Sequence, residues 1–202
     1  MLNIIQNIPD IKMSPLSYVL NVIKLKHNPD TLWLEFGVFS GKTINYISEH
    51  TIDYVYGFDS FHGLPEDWRE GVFRKGAFNR KGVMPDVNDN VILLKGMFDE
   101  TLPSFVNTQK KKISFIHIDC DLYSSTKYVL NTLKPYIANK CVIVFDELVN
   151  YPGFSGDNGE LKALYEFVKE NNVKFDWIGM NGSVGMEGGH HEAAALIIHS
   201  IG

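Results

Sequence analysis

Five short apolar runs rich in β-branched and aromatic residues, at 32–36, 54–58, 91–94, 113–118 and 141–145, recur along this chain with helical stretches between most of them. Such alternation predicts an α/β fold, a parallel sheet with helices on both faces. Stretches 124–136 and 160–169 read as helices of this kind. Two further runs, 175–180 and 193–199, are separated only by the glycine-rich segment 181–189. That link is too brief for a helical crossover, so the last two strands are expected to pair antiparallel. The result is a seven-stranded, mostly parallel sheet with a C-terminal antiparallel hairpin, in one domain over residues 1–202. Ser14-Pro15, followed by Leu16, Val19, Leu20, Val22 and Ile23 at helical spacing, predicts a leading helix within residues 1–30. Segment 61–90 departs from the pattern, with Phe61, Trp68, Phe73 and Phe78 set among glycines, charges and two prolines. It reads either as a lid over a cleft or as a packed insertion.

The first run delivers Glu35-Phe36-Gly37-Val38-Phe39-Ser40-Gly41 into a helix beginning at Lys42-Thr43. Gly37 lets the backbone turn without a Cβ clash, and Gly41 lets the helix start close to a bound molecule. The pattern is not G-x-G-x-x-G, because Phe39 and Lys42 stand at the third and sixth positions. It is also one residue short of the phosphate loop G-x-x-x-x-G-K-[ST]. An acid two residues before G-x-x-x-G resembles instead the form used by S-adenosylmethionine-dependent methyltransferases. Open α/β sheets bind ligands at the carboxyl ends of their strands. Asp59 ends the second run, where it either accepts hydrogen bonds from the ribose hydroxyls of an adenosyl group or caps the turn with Ser60. Glu35 either contacts the ligand or accepts backbone N–H bonds that stabilise the loop.

The resemblance narrows when five motifs are taken together. Glu35-Phe36-Gly37-Val38, Gly57-Phe58-Asp59-Ser60-Phe61-His62-Gly63-Leu64-Pro65, Lys95-Gly96-Met97-Phe98 with Thr101-Leu102-Pro103, His117-Ile118-Asp119-Cys120-Asp121-Leu122-Tyr123-Ser124-Ser125-Thr126 and Phe145-Asp146-Glu147 follow in order. In this the chain resembles the macrocin O-methyltransferase family, from about residue 13 to residue 167. The resemblance implies a Rossmann-like methyltransferase fold and S-adenosylmethionine as cofactor. It implies contacts from Glu35, Gly37, Val38, Ser40, Gly41 and Thr43 around the turn, from Asp59 and Ser60 at the ribose, and from Asp119. Gly96, Met97 and Phe98 fall where it puts the adenine, although Met97 and Phe98 also read as ordinary core.

Asp119 and Asp121 end the fourth run, and Asp146 and Glu147 end the fifth. Adjacent parallel strands would bring both pairs to one edge of the cleft, where a divalent cation, magnesium or manganese, would relieve their repulsion. Such an ion lowers the pKa of a substrate hydroxyl and orients its oxygen. The strand ends also resemble the metal site of catechol O-methyltransferase-like enzymes, which makes Asp119, Asp146 and Glu147 the expected ligands. Asp121 is expected to cap the following helix. Asp119 is in addition the candidate to receive the hydroxyl proton, directly or through water. Catechol-type enzymes carry a lysine three residues after the first metal acid, and Leu122 stands there instead. His117 reads as a core residue and His190-His191-Glu192 as a polar hairpin flank; neither these nor His62 is assigned as the base.

The formal net charge of −5 and the single basic run Lys110-Lys111-Lys112 argue against a nucleic-acid surface. Only Cys120 and Cys141 are present, and no signal peptide or membrane-length apolar run is visible, so a cytoplasmic protein is expected. A homo-oligomer is compatible with the composition. The leading reading is a metal-assisted O-methyltransferase acting on a hydroxyl of a small molecule or glycosyl group. The rivals are a phosphate-loop-like nucleotide hydrolase, suggested by Gly41-Lys42-Thr43, and a non-catalytic adenosyl-binding module.

Overall fold

In the computed structural model, residues 2–69, 71–182 and 191–202 are described. Most of the hairpin link, including His190, lies outside them. Seven strands form one sheet: β1 (Thr31–Phe36), β2 (Val55–Asp59), β3 (Val91–Lys95), β4 (Lys112–Ile118), β5 (Ile137–Phe145), β6 (Lys174–Met180) and β7 (Ala194–Ser200). Their order is β3-β2-β1-β4-β5-β7-β6. The first five are parallel, and β7 runs antiparallel to both β5 and β6. The α/β reading and the terminal hairpin are thus borne out, with strand ends shifted by a few residues at most.

The apolar runs look continuous because both faces of the sheet are covered, yet the period of two still sorts them. Leu32, Leu34 and Phe36 of β1 join the core beneath three long helices, α3 (Phe98–Gln109), α4 (Tyr123–Leu133) and α5 (Gly159–Glu170). Trp33 points the other way, into a core built with Leu16, Val19, Ile44 and Ile47 from α1 (Pro15–Ser17), the turns after it and α2 (Lys42–Ser48). Strand β5 alternates likewise, Cys141, Ile143 and Phe145 on the first side, Val142 and Val144 on the second. On the first side Phe36 and Phe58 stack at 4.8 Å between ring centroids, which locks β1 to β2 near the end that carries the glycine turn.

The leading helix is shorter than its periodicity predicts. Ser14 Oγ accepts from Ser17 N–H as a cap, but after one turn the ladder widens and Ile23 N–H bonds Tyr18 O, five residues back. Helix α3 begins where Glu100 Oε2 accepts the Met97 N–H at 3.0 Å, fixing Met97 and Phe98 at the sheet edge.

Candidate active site

Backbone bonds carry the sheet ladder past its carboxyl edge. Gly37 N–H bonds Phe58 O (3.0 Å), Asp119 N–H bonds Phe36 O (2.8 Å), Asp146 N–H bonds Ile118 O (2.9 Å) and Gly96 N–H bonds Asp59 O (3.1 Å). Four loops therefore leave the sheet in fixed register, around the point where strand order reverses between β1 and β4. They border a cavity of ≈ 320 Å³. Of the residues singled out in the sequence, Gly37, Asp59, Ser60, Gly96, Met97, Phe98, Asp119 and Glu147 line it. Glu35, Val38, Ser40, Gly41 and Thr43 do not.

Strand parity explains the placement of Glu35. It shares the Trp33 side of β1, is fully buried, and lies opposite His117 of β4 in register. Its Oε1 pairs with His117 Nδ1 at 3.0 Å. Burial raises the Glu35 pKa against the opposing pull of His117. Burial alone would lower that of His117, but the Glu35 bond and charge, with Asp119 and Asp146 beyond, raise it to about 9. Glu35 and His117 are therefore a buried pair beneath the site, outside its lining. Gly41, with φ 81°, packs instead against Pro85, and its N–H closes the turn on Val38 O at 2.9 Å.

Asp59 organises that turn. Its Oδ2 accepts the N–H groups of Val38 (3.0 Å) and Phe39 (2.8 Å), and its Oδ1 accepts that of Phe61 (2.7 Å). The residue thus both lines the cavity and holds the loops on either side of it.

Asp119, Asp146 and Glu147 converge as the acid-bearing strands require. Each offers a carboxylate oxygen within 4.8 Å of the others. Burial and the charge of Asp146 push the Asp119 pKa well up, with His117 opposing; burial and the charges of Asp119 and Asp146 do the same for Glu147. Glu147 Oε2 is buried without a hydrogen-bond partner among the described residues. Three repelling oxygen donors, one of them unpartnered, fit a hard divalent cation. Asp121 does not cap α4 as expected: the helix starts at Tyr123 with Leu122 in the cap position and no side-chain bond. Its backbone, at φ 64°, turns the carboxylate to the cavity, where burial, partly offset by Arg69, raises its pKa to about 7.

Sequence reasoning missed the lining pair Arg69 and Glu192, which are joined by an ion pair. Arg69 lies 4.0 Å over the Trp68 ring and 4.9 Å from that of Tyr151. Their separation in sequence left no local signal beyond the aromatic content of segment 61–90. That segment divides in two. Asn88 and Asn90 bond the backbone and side chains of residues 45–51, fixing its end to α2. Residues 61–82 instead fold on themselves through Leu64–Ala77 and Trp68–Phe73 backbone bonds, and present Leu64, Trp68, Phe73 and Phe78 to the cavity. Ser124 Oγ donates to Glu66 Oε1 at 2.6 Å, a second tie to the body. His62 is outside the lining; its ring borders Gly82 instead.

Among solved structures the chain is similar to the calicheamicin methyltransferase CalS11, at 20% identity and TM-score 0.58 over 83% of this chain and 72% of that one. It is similar to the O-methyltransferase NovP, at 20% identity and TM-score 0.58 over 84% and 72%. It also resembles an O-methyltransferase from Bacillus cereus in complex with SAH, at 14% identity and TM-score 0.58 over 98% and 87%. At these identities the likeness is one of fold. A search of curated protein sequences gives no significant match. The profile of a methyltransferase domain matches residues 34–148, which run from β1 through the glycine turn, Asp59 and the three converging acids. The chain belongs to that family of methyltransferase domains, the S-adenosylmethionine-dependent class.

Proposed function

We propose that the protein is an S-adenosylmethionine-dependent, divalent-metal-assisted O-methyltransferase acting on a hydroxyl of a small molecule or glycosyl group. The observation that carries this is the convergence of Asp119, Asp146 and Glu147 beside a cavity also bounded by Gly37 and Asp59. CalS11 is a TDP-rhamnose 3′-O-methyltransferase, which supports a glycosyl acceptor of the kind the macrocin resemblance implies. Free Cys120 and Cys141 accord with a reducing, cytoplasmic setting.

S-adenosylmethionine would supply the electrophilic methyl group, and a cation on the three acids would supply Lewis acidity toward the acceptor hydroxyl. Gly37 would bring the backbone of the turn to the cofactor, and Asp59 would accept from its ribose. A carboxylate offers about four acceptor positions, and three on Asp59 are taken by backbone N–H groups, which leaves room for one hydroxyl. Ser60 is then the neighbour for the other. Met97 and Phe98 would flank the adenine. Asp119 would take the proton of the acceptor hydroxyl, directly or through water. Water is kept from the reacting oxygen by the wall of Leu64, Trp68 and Phe73.

The hydrolase alternative is weakened by the turn itself. A phosphate loop needs free N–H groups, and those of Val38 and Phe39 are engaged by Asp59. A passive binding module gives no reason to assemble repelling acids.

Calorimetry with S-adenosylmethionine, and methyl transfer to glycosyl and phenolic acceptors with and without chelator, test the reading. Undiminished turnover after rigorous chelation removes the metal, and tighter binding of ATP than of S-adenosylmethionine removes the class of reaction. Asp59→Ala is expected to weaken cofactor binding by roughly 10-fold or more, the loss of a charge-assisted hydrogen bond. It also loosens the turn, so circular dichroism must accompany the titration. Equal affinity in a folded variant would take Asp59 out of the site.

Residues 61–82 act in this reading as a lid, hinged on the fixed part at 84–90. Adding cofactor and Mg²⁺ should slow amide exchange in 61–82 and leave 84–90 unchanged, and Trp68→Ala should raise the acceptor KM. Unchanged exchange with normal acceptor kinetics would make the segment scaffold.

A further inference from the structure

We propose that Glu160 is a positioning residue for the acid cluster, a carboxylate set beneath the two loops that carry it. Glu160 lies in the first turn of α5 and is fully buried, 0% exposed. Neither of its carboxylate oxygens has a hydrogen-bond partner among the described residues. An acid in a first helical turn favours the helix dipole equally well from the surface, so the dipole does not account for this burial. A buried carboxyl without partners is destabilising, and it marks a place where partners arrive in another state.

The donors that face it are the backbone N–H groups of Glu147 and Cys120, which stop short of hydrogen-bond geometry. These belong to different loops. Cys120 lies between Asp119 and Asp121 after β4, and Glu147 follows Asp146 after β5. Burial, with the charges of Asp121 and Asp146, raises the Glu160 pKa, so this carboxyl is coupled to the acids of both loops. A cation held by Asp119, Asp146 and Glu147 would draw the two loops together. The Cys120 and Glu147 N–H groups then close on the two oxygens of Glu160, which sets the distance between the loops and hence between the acids. Partners of this outer kind orient metal ligands without touching the ion. Glutamine at this position offers one acceptor oxygen where glutamate has two, and its amide N–H group cannot accept from the second loop.

The inference rests on the cation reading above, and the test separates the two. Mn²⁺ binding is measured by calorimetry and electron paramagnetic resonance on wild type and Glu160→Gln, with S-adenosylmethionine affinity and circular dichroism alongside. Glu160→Gln should bind Mn²⁺ about 10–100-fold more weakly and give an altered resonance spectrum, with cofactor affinity within about two-fold of wild type. Should the variant not fold, wild type alone decides: Mn²⁺ should slow amide exchange at Cys120 and Glu147 by about ten-fold. Wild-type Mn²⁺ affinity in folded Glu160→Gln, or unchanged exchange at both amides on Mn²⁺ saturation, overturns the role of Glu160 alone. Failure of wild type to bind Mn²⁺ overturns it together with the metal-assisted reading.

Discussion

Asp146→Asn should make the metal-free protein more stable while abolishing its methyl transfer. The Asp146 charge helps push Asp119 and Glu147 above the usual carboxylate range. Removing one of three converging carboxylates relieves that crowding, and a gain of about 1 kcal/mol is the scale of a single substitution. For a domain of this size the thermal midpoint should rise by roughly 2–4 °C in chelator. On the proposed cation site the same change removes a charged ligand, so wild type should gain stability on adding Mg²⁺ and the variant should not. Turnover should fall by at least ~100-fold, the scale of a lost electrostatic partner for the reacting oxygen. Melting curves with chelator and with Mg²⁺, beside turnover, check both halves. A variant that turns over like wild type, or melts lower in chelator, would show that the acids do not oppose one another across a cation site.

Gly37→Ala is expected to have the largest effect on the fold. Gly37 has φ 90°, and a Cβ built there would overlap the carbonyl oxygen of Asp119 and stand 2.7 Å from its carbonyl carbon. The obstacle is backbone, so no rotamer change relieves it. Either β1 and β4 separate at their ends, displacing Asp119, or the turn re-forms. Strain of that kind costs about 3 kcal/mol or more. Gly71→Ala is the matched control: its φ is 77°, but nothing lies within 4 Å of the added Cβ. It should lose only about 1 kcal/mol, the ordinary penalty for a left-handed alanine. Chemical denaturation of both variants isolates the steric part. Equal losses would mean that the close approach of the turn to β4 contributes little.

These contrasts also mark how far the sequence could be read. Strand positions, strand direction and the meeting of Asp119 with Asp146 and Glu147 follow from local apolar runs and the topology they force. Glu35 was harder to place because β1 is apolar on both faces; which side each residue takes depends on the neighbouring strand, and only the register with His117 reveals it. The role of Asp121 was misread because a positive φ, invisible in sequence, turned it from the helix toward the cavity. Glu160 gave no signal, since a first-turn glutamate ordinarily faces water. Arg69 and Glu192 meet across 123 positions of sequence, a distance no local pattern spans.

The insertion of β7 between β5 and β6 bears on synthesis as much as on architecture. Among the seven described strands the sixth pairs only with the seventh, which leaves the ribosome after it. Until then β5 presents an open, apolar edge, the kind of surface through which nascent chains misassociate. Glu192 arrives with the same late segment: its carbonyl anchors Leu148 and Val149, and its carboxylate pairs with Arg69. Translation order therefore withholds one wall of the cavity until Glu192 has emerged, so that a shorter nascent segment carries the acids but not the enclosure around them.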